Sequence, residues 1–171
     1  MGYVHDTQMS QFIAPSLFSH SAGTWTVSEA SNLMKSVRTA GDASFTTLIP
    51  IPIPSNSVAK KGALLKSIDV WYAIGTAAAD DFATVELEKM TLPADDTAVS
   101  GAAVSAVTID AGHDTAAERK AVDTDHCMTI TLTDPAWIDD GEAYFLKLVV
   151  DAAATTVFTF FGARANYTLR V

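Results

Sequence analysis

The chain has 171 residues, and its 20 acidic and 11 basic side chains give it a formal net charge of -9. This length predicts a single domain, and the acidic excess argues against nucleic-acid binding, which depends on Lys and Arg neutralising phosphates. Cys127 is the only cysteine, which excludes an intrachain disulfide, and no apolar run approaches the roughly 18 residues that a membrane-spanning helix needs.

The first 22 residues differ from the rest of the chain, and we predict that they form an N-terminal arm. They lack the basic start, the apolar run and the cleavage site of a signal peptide. Pro15 interrupts a set of apolar residues that have helical spacing, namely Met9, Phe12, Ile13 and Leu17. The arm is expected to pack on its own domain or on a neighbouring subunit, with Phe12 and Ile13 as candidate contacts.

Alternation of apolar and polar residues dominates residues 23–171 and indicates β-strands with one buried face. Residues 155–161 are apolar on both faces, as in a central strand, and a change of phase within 82–92 predicts a β-bulge. In chain order, strands are predicted over 24–27, 33–39, 45–54, 64–74, 82–92, 104–109, 126–134, 142–151, 155–161 and 163–171, with one short surface helix over 114–122. Many short strands separated by turn residues predict an all-β domain over 23–171, an antiparallel β-sandwich of the jelly-roll type.

The most specific local feature is a run of three Ile-Pro pairs, Ile49, Pro50, Ile51, Pro52, Ile53 and Pro54. Alternate residues of an extended strand direct their N–H groups to opposite neighbours, so three alternating prolines remove the donors of one flank only. The Ile side chains then share one face, which we expect to be buried. The segment is predicted to be an edge that stops further strand addition. It serves either as protection against aggregation or as a rigid rim for contacts in an assembly.

Residues with catalytic chemistry form no recognisable motif. No histidine lies near a nucleophile motif, and neither a phosphate-binding glycine loop nor a zinc-protease helix occurs. Cys127 is expected to be structural, because a catalytic thiol needs a histidine partner and the adjacent His126 points to the other strand face. Glu86 and Glu88 share a strand face, as glycosidase carboxylates could, but exposed glutamates are common on strands. We therefore predict no catalytic residue, no cofactor, no bound metal and no enzymatic activity.

Two features leave a binding role open. A group of acidic and histidine residues brackets the predicted helix and could hold Ca²⁺ through carboxylate oxygens, although it lacks the spacing of a calcium loop and solvated turn residues are the alternative. The members of that group are Asp110, His113, Asp114, Asp123, Asp125 and His126. Trp71 lies opposite the core face of its strand and could present an aromatic surface to a sugar or a receptor.

Several segments resemble small proteins encoded by phage and environmental viral genomes. They are KGALLKSIDVWYAIGTA at 61–77, DDGEAY at 139–144, VVDAAA at 149–154 and GARANY at 162–167. The strand pattern of residues 24–171 is similar to that of bacteriophage virion proteins of the jelly-roll type, such as capsid decoration proteins. This resemblance transfers no site residues. It implies a non-enzymatic virion structural protein that assembles as a homo-oligomer and contacts a capsid or tail protein, with neither nucleic acid nor a membrane as partner. The alternative is a carbohydrate- or receptor-binding β-sandwich module of a phage tail that uses Trp71.

Overall fold

The structure is a computed structural model that describes residues 5–56, 62–93, 98–104 and 107–170. Within these ranges the chain forms twelve strands and one α-helix. The strands are β1 (Asp6–Ile13), β2 (Ser19–His20), β3 (Trp25–Ala30), β4 (Leu33–Arg38), β5 (Ala43–Pro50), β6 (Leu64–Gly75), β7 (Asp81–Thr91), β8 (Ser100–Ala103), β9 (Val107–Ile109), β10 (Asp123–Trp137), β11 (Glu142–Ala152) and β12 (Val157–Arg170), and the helix is α1 (Ala116–Arg119). No helix in the described ranges has the length and apolar character that a bilayer crossing requires.

The strands form two antiparallel sheets, which confirms the predicted β-sandwich. The seven-stranded sheet has the order β3-β4-β12-β6-β10-β9, and β1 pairs with β12 farther along the flank that β4 occupies. The five-stranded sheet has the order β2-β5-β11-β7-β8. From β5 onward the chain passes repeatedly from one sheet to the other, as in jelly-roll folds. The inner faces of the two sheets enclose one core of aliphatic and aromatic side chains.

Strand alternation determines which residues fill this core. On β6, Ile68, Val70 and Tyr72 have no exposed surface, while Asp69 and Trp71 lie on the opposite face of the sheet. The predicted phase change in 82–92 is also present. A register shift between β7 and β11 near Asp81 places Phe82 in the core.

The N-terminal segment packs on its own domain, one of the two predicted placements of the arm, and it does so as a strand that the sequence did not reveal. Residues Asp6–Ile13 form β1, which pairs with β12 along its whole length, from Asp6 opposite Arg170 to Ile13 opposite Ala163. Pro15 follows the strand and begins a 3₁₀ turn, Pro15–Leu17. Only the last residue of β1 is buried, so the alternation that reveals a half-buried strand is missing from this part of the sequence.

The Ile-Pro segment extends β5 along the core. β5 pairs with β11 on one flank as far as Pro50, and the Ile51 N–H donates to the Tyr144 carbonyl at 2.9 Å. On the other flank, β2 pairs with β5 only at Thr47 and Leu48. Ile49, Ile51 and Ile53 are buried, whereas Pro52 and Pro54 are exposed. The prolines therefore begin where the short strand β2 stops covering that flank.

The helix α1 is shorter than predicted and is partly built into the fold. Its N-terminus has a capping box, in which Thr115 and Glu118 each accept a hydrogen bond from the backbone N–H of the other. Arg119, in its last turn, is buried rather than solvated. Its guanidinium group donates to the carbonyl oxygens of Phe82 and His113 at 2.9 and 2.8 Å. The bond to Phe82 fastens the loop between β9 and β10 to β7, and the bond to His113 lies within that loop.

Candidate functional site

The outer face of the seven-stranded sheet carries three neighbouring aromatic side chains, Phe12 on β1, Trp71 on β6 and Phe161 on β12, which we call the aromatic patch. Together with Arg164 they line an open depression of about 480 Å³. Trp71 and Phe161 also line a second depression of about 280 Å³, on the side of Leu33 and Asp125. Trp71 is therefore a wall shared by two adjoining apolar hollows.

A β-bulge creates the aromatic patch. In the pairing of β12 with β6, Phe160 lies opposite Tyr72 and Gly162 lies opposite Trp71, so Phe161 is an extra residue. Phe160 points into the core, and the bulge directs Phe161 to the outer face beside Trp71. The strands predicted over 155–161 and 163–171 are thus one strand with this irregularity inside it.

Gly162 makes room for Phe12 in the aromatic patch. Its φ is +139°, in a region that residues with a side chain rarely adopt. A Cβ atom at this position would lie 2.7 Å from the ring of Phe12. The Phe12 ring therefore packs against the Gly162 backbone on one side, while 58% of the residue's surface remains exposed.

A polar network, centred on Asp69 and called the Asp69 network here, borders the aromatic patch. The Arg164 Nε and Nη2 groups donate to Asp69 Oδ2 at 3.1 and 2.8 Å, and Asn166 Nδ2 donates to the same oxygen at 2.9 Å. The Thr129 hydroxyl donates to Asp69 Oδ1 at 2.9 Å. The Arg164 Cζ atom lies 5.2 Å from the centroid of the Trp71 ring, within cation–π distance.

The same hydrogen bonds keep Asp69 ionised. Burial by itself raises the pKa of Asp69, but the hydrogen bonds that it accepts, first from Asn166 and then from Arg164, lower it below its ordinary value. The carboxylate therefore holds the Arg164 guanidinium in a fixed place beside Trp71.

A third depression, of about 400 Å³, continues along the outer face beyond the Asp69 network, and we call it the polar depression. Its polar lining comes from three strands and consists of Gln8, Ser10, Lys66, Ser67 and Asn166. A second bulge shapes it, because Asn166 lies opposite Ser67 while Tyr167 lies opposite Leu65, which leaves Lys66 as the extra residue of β6. Bulges of this kind redirect side chains, and Lys66 here joins the lining of the polar depression.

The residues that the sequence singled out as contacts are placed in different surroundings. Phe12 belongs to the aromatic patch, whereas Ile13 is fully buried in the core. In the Ile-Pro segment the three isoleucines are buried, and the exposed surface belongs mainly to Pro52 and Pro54. Sequence reasoning identified Trp71 and Phe12 separately and missed Phe161 beside them.

Glu86 and Glu88 lie on the other side of the molecule, on the outer face of the five-stranded sheet. Lys147 Nζ is 3.3 Å from the Glu86 carboxylate and 3.0 Å from that of Glu88. The hydrogen bonds that Lys147 donates, first the one to Glu88 and then the one to Glu86, raise the pKa of Lys147. The two carboxylates share a counter-ion and form no acid–base pair around a cleft.

The acidic and histidine group near α1 is split between the interior and the surface. His113 and His126 are buried and contact each other through Nε2 and Nδ1 at 3.1 Å, and the His113 Nδ1 atom lies 2.8 Å from the Asp110 carboxylate. The other three members, Asp114, Asp123 and Asp125, are exposed. Within the described ranges, no three such side chains are arranged to hold a metal ion.

Cys127 lies on the outer face directly opposite Trp71 in the pairing of β10 with β6. His126 is on the core face, where its ring stacks on Tyr72 with centroids 4.5 Å apart. Burial, and after it the negative charge of Asp69, raises the pKa of the Cys127 thiol. The thiol is thus kept protonated, and the adjacent His126 lies on the other face of β10, which does not suit a nucleophile.

Comparison with known proteins gives no family for this chain. No family model matches it, and no curated protein matches it. Among solved structures, it is similar to the carbohydrate-binding module TmCBM61, solved with beta-1,4-galactotriose, at 8% identity and a TM-score of 0.38, covering 96% of this chain and 88% of that one. It is also similar to the family 11 carbohydrate-binding module of the cellulosomal cellulase Lic26A-Cel5E of Clostridium thermocellum, at 7% identity and a TM-score of 0.34, with the same coverage. Structural similarity at this level gives no information about the ligand of this chain.

Proposed function

We propose that this protein is a non-catalytic β-sandwich that binds carbohydrate on the outer face of its seven-stranded sheet. The observation that carries the proposal is the aromatic patch, in which Trp71, Phe161 and the 58% exposed Phe12 line one open depression. The C–H face of a sugar ring packs on such aromatic surfaces, while its hydroxyl groups need hydrogen-bonding partners at the edge. The Asp69 network supplies those partners beside Trp71.

The chemistry of the site suits binding better than catalysis. A general acid must carry a proton near neutral pH, but the hydrogen bonds to Asp69 hold its pKa below the ordinary aspartate value. The Cys127 thiol, whose pKa is raised, is protonated and weakly nucleophilic. The groups around the aromatic patch are therefore donors, acceptors and apolar surfaces in fixed positions.

Replacement of Trp71 tests the proposal. Wild-type protein is expected to bind specific members of a glycan array, and Trp71→Ala is expected to weaken that binding at least about tenfold in titration calorimetry, because it removes one of the two aromatic walls shared by both hollows. Phe145→Ala is the matched control, since Phe145 is an aromatic residue of β11 that alternates with core residues on the other sheet. The proposal fails if the wild type binds no glycan, or if Trp71→Ala binds as the wild type does.

A second candidate is the virion structural protein that the sequence resemblance implies, a homo-oligomer associated with a capsid or tail. It is favoured by the hairpin of β3 and β4 at the edge of the seven-stranded sheet, where Val27, Leu33 and Met34 are each at least half exposed. For this candidate, sedimentation at high concentration should show an oligomer that Met34→Lys dissociates and Trp71→Ala does not. A wild-type protein that sediments as a monomer contradicts it.

A further inference from the structure

We propose that the ligand is an acidic oligosaccharide. This inference rests on the proposed binding of carbohydrate to the outer face of the seven-stranded sheet. One sugar ring packs on the aromatic patch, and a carboxylate of a neighbouring ring binds Lys66 in the polar depression. The ligand class is therefore an oligosaccharide that contains uronic acid, bound along its chain across β12 and β6.

The two binding regions are close enough for one ligand. Arg164 lines the aromatic depression and Asn166 lines the polar depression. These residues are two apart on β12, which at about 3.3 Å per residue separates them by roughly 7 Å on the same face. Both also donate to Asp69 Oδ2. Because both residues lie on the same face of β12, a ligand longer than one ring can contact both regions.

Lys66 provides the charge selectivity. It forms no ion pair among the described residues, and the other residues that line the polar depression are uncharged. Asp69, the nearby carboxylate on the same strand, is already occupied by Arg164, Asn166 and Thr129. A cation that is placed in a depression by a bulge and left without a carboxylate is complementary to an anionic group of a ligand.

The opposite end of the site determines the direction of the ligand. Asp125 lines the hollow on the far side of Trp71, and its negative charge disfavours an acidic group there. The chain as a whole has a net charge of -9, so long-range attraction does not draw polyanions to it. The preference for an acidic sugar therefore comes from contact with Lys66 and decreases as salt increases.

Matched pairs of probes test the inference. The probes are tetragalacturonate and a hyaluronan tetrasaccharide, each compared with its methyl-esterified form, which has the same rings but no negative charge. Wild-type protein is expected to bind the acidic member of at least one pair about tenfold or more tightly, and Lys66→Gln is expected to reduce this ratio to about one. Lys147→Gln, on the other sheet, is the charge-matched control and leaves the ratio unchanged. Trp71→Ala weakens binding of both members of the pair.

The outcomes separate this inference from the proposed function. If the wild type binds neutral sugars through Trp71 but shows no preference for the acidic member of either pair, the assignment of an acidic ligand is overturned while carbohydrate binding stands. A preference that persists in Lys66→Gln overturns the role of Lys66. Absence of binding to every acidic and neutral glycan overturns the proposed function itself.

Discussion

The outer faces of the two sheets are built by the same alternation of inward and outward residues, but their side chains are arranged differently. On the five-stranded sheet the charged side chains are paired with one another, as when Lys147 contacts Glu86 and Glu88. On the seven-stranded sheet, Trp71 and Phe161 border open hollows. On the first face these charged side chains have partners within the sheet. The second face leaves apolar surface and the cation of Lys66 available to another molecule.

Strand register explains this difference. Around Lys147 the pairing of β11 with β7 is regular, with Lys147 directly opposite Glu86 and Phe145 opposite Glu88. Opposite charges therefore meet across neighbouring strands, as is usual on exposed sheet faces. The pairing of β12 with β6 has two shifts instead, one at Phe161 and one at Lys66. Each shift adds a side chain that has no cross-strand partner, so irregular register is the feature that distinguishes the candidate site.

Replacement of Asp69 by Asn is expected to have the largest effect on stability. The Asp69 side chain is only 9% exposed and accepts hydrogen bonds from Arg164, Asn166 and Thr129. Hydrogen bonds to a charged group contribute about 1.5–3 kcal/mol, so Asp69→Asn should lower the free energy of unfolding by about 2 kcal/mol at pH 7. Urea denaturation measures this change. If the loss is no larger than that of an exposed ion pair, the Asp69 network does not organise this face.

The pH dependence of the same variant gives a second measurement. The pKa of Asp69 is lower in the folded protein than its ordinary value of 3.8, so its ionised form stabilises the fold above that pH. The stabilisation is lost as the pH falls from 3.8 through the lower folded pKa, because the unfolded chain takes up the proton first. The difference between wild type and Asp69→Asn should therefore be constant near neutral pH and shrink in this acidic range.

The sequence predicted regular strands well, because core positions such as Ile68 and Val70 alternate clearly with polar ones. It also predicted the bulge near Phe82, since the phase of the apolar residues changes there. The bulge at Phe161 could not be found in this way. Residues 155–161 are apolar on both faces, so an extra phenylalanine gives no change of phase to detect.

The candidate site was predictable only in part for a different reason. Trp71 was identified from its position opposite the core face of β6, and Phe12 from its place in the N-terminal segment. Nothing in the sequence joins them, because the pairing that brings them together, with Phe12 opposite Arg164, links residues far apart in the chain. The place of Lys66 in the site could not be predicted either, because the direction of its side chain depends on the register of β12 against β6.

Replacement of Lys147 by Gln is expected to have the smallest effect. Its side chain and those of Glu86 and Glu88 are 31%, 47% and 25% exposed, and exposed ion pairs contribute about 1 kcal/mol or less. The pKa of Lys147 is raised above its ordinary value of 10.5, so the pair stabilises the fold below that pH and loses its effect as the pH rises through the folded pKa.

Urea denaturation of Lys147→Gln should show a loss of less than about 1 kcal/mol at low salt that disappears near 1 M salt, where charges are screened within about 3 Å. Glycan binding should equal that of the wild type, because Lys147 lies on the outer face of the five-stranded sheet, away from the aromatic patch. A Lys147→Gln protein that binds glycans more weakly while remaining folded would place the ligand on the five-stranded sheet. Such a result would reverse the contrast between the two faces, because the face whose charges are paired would then be the one that binds the ligand.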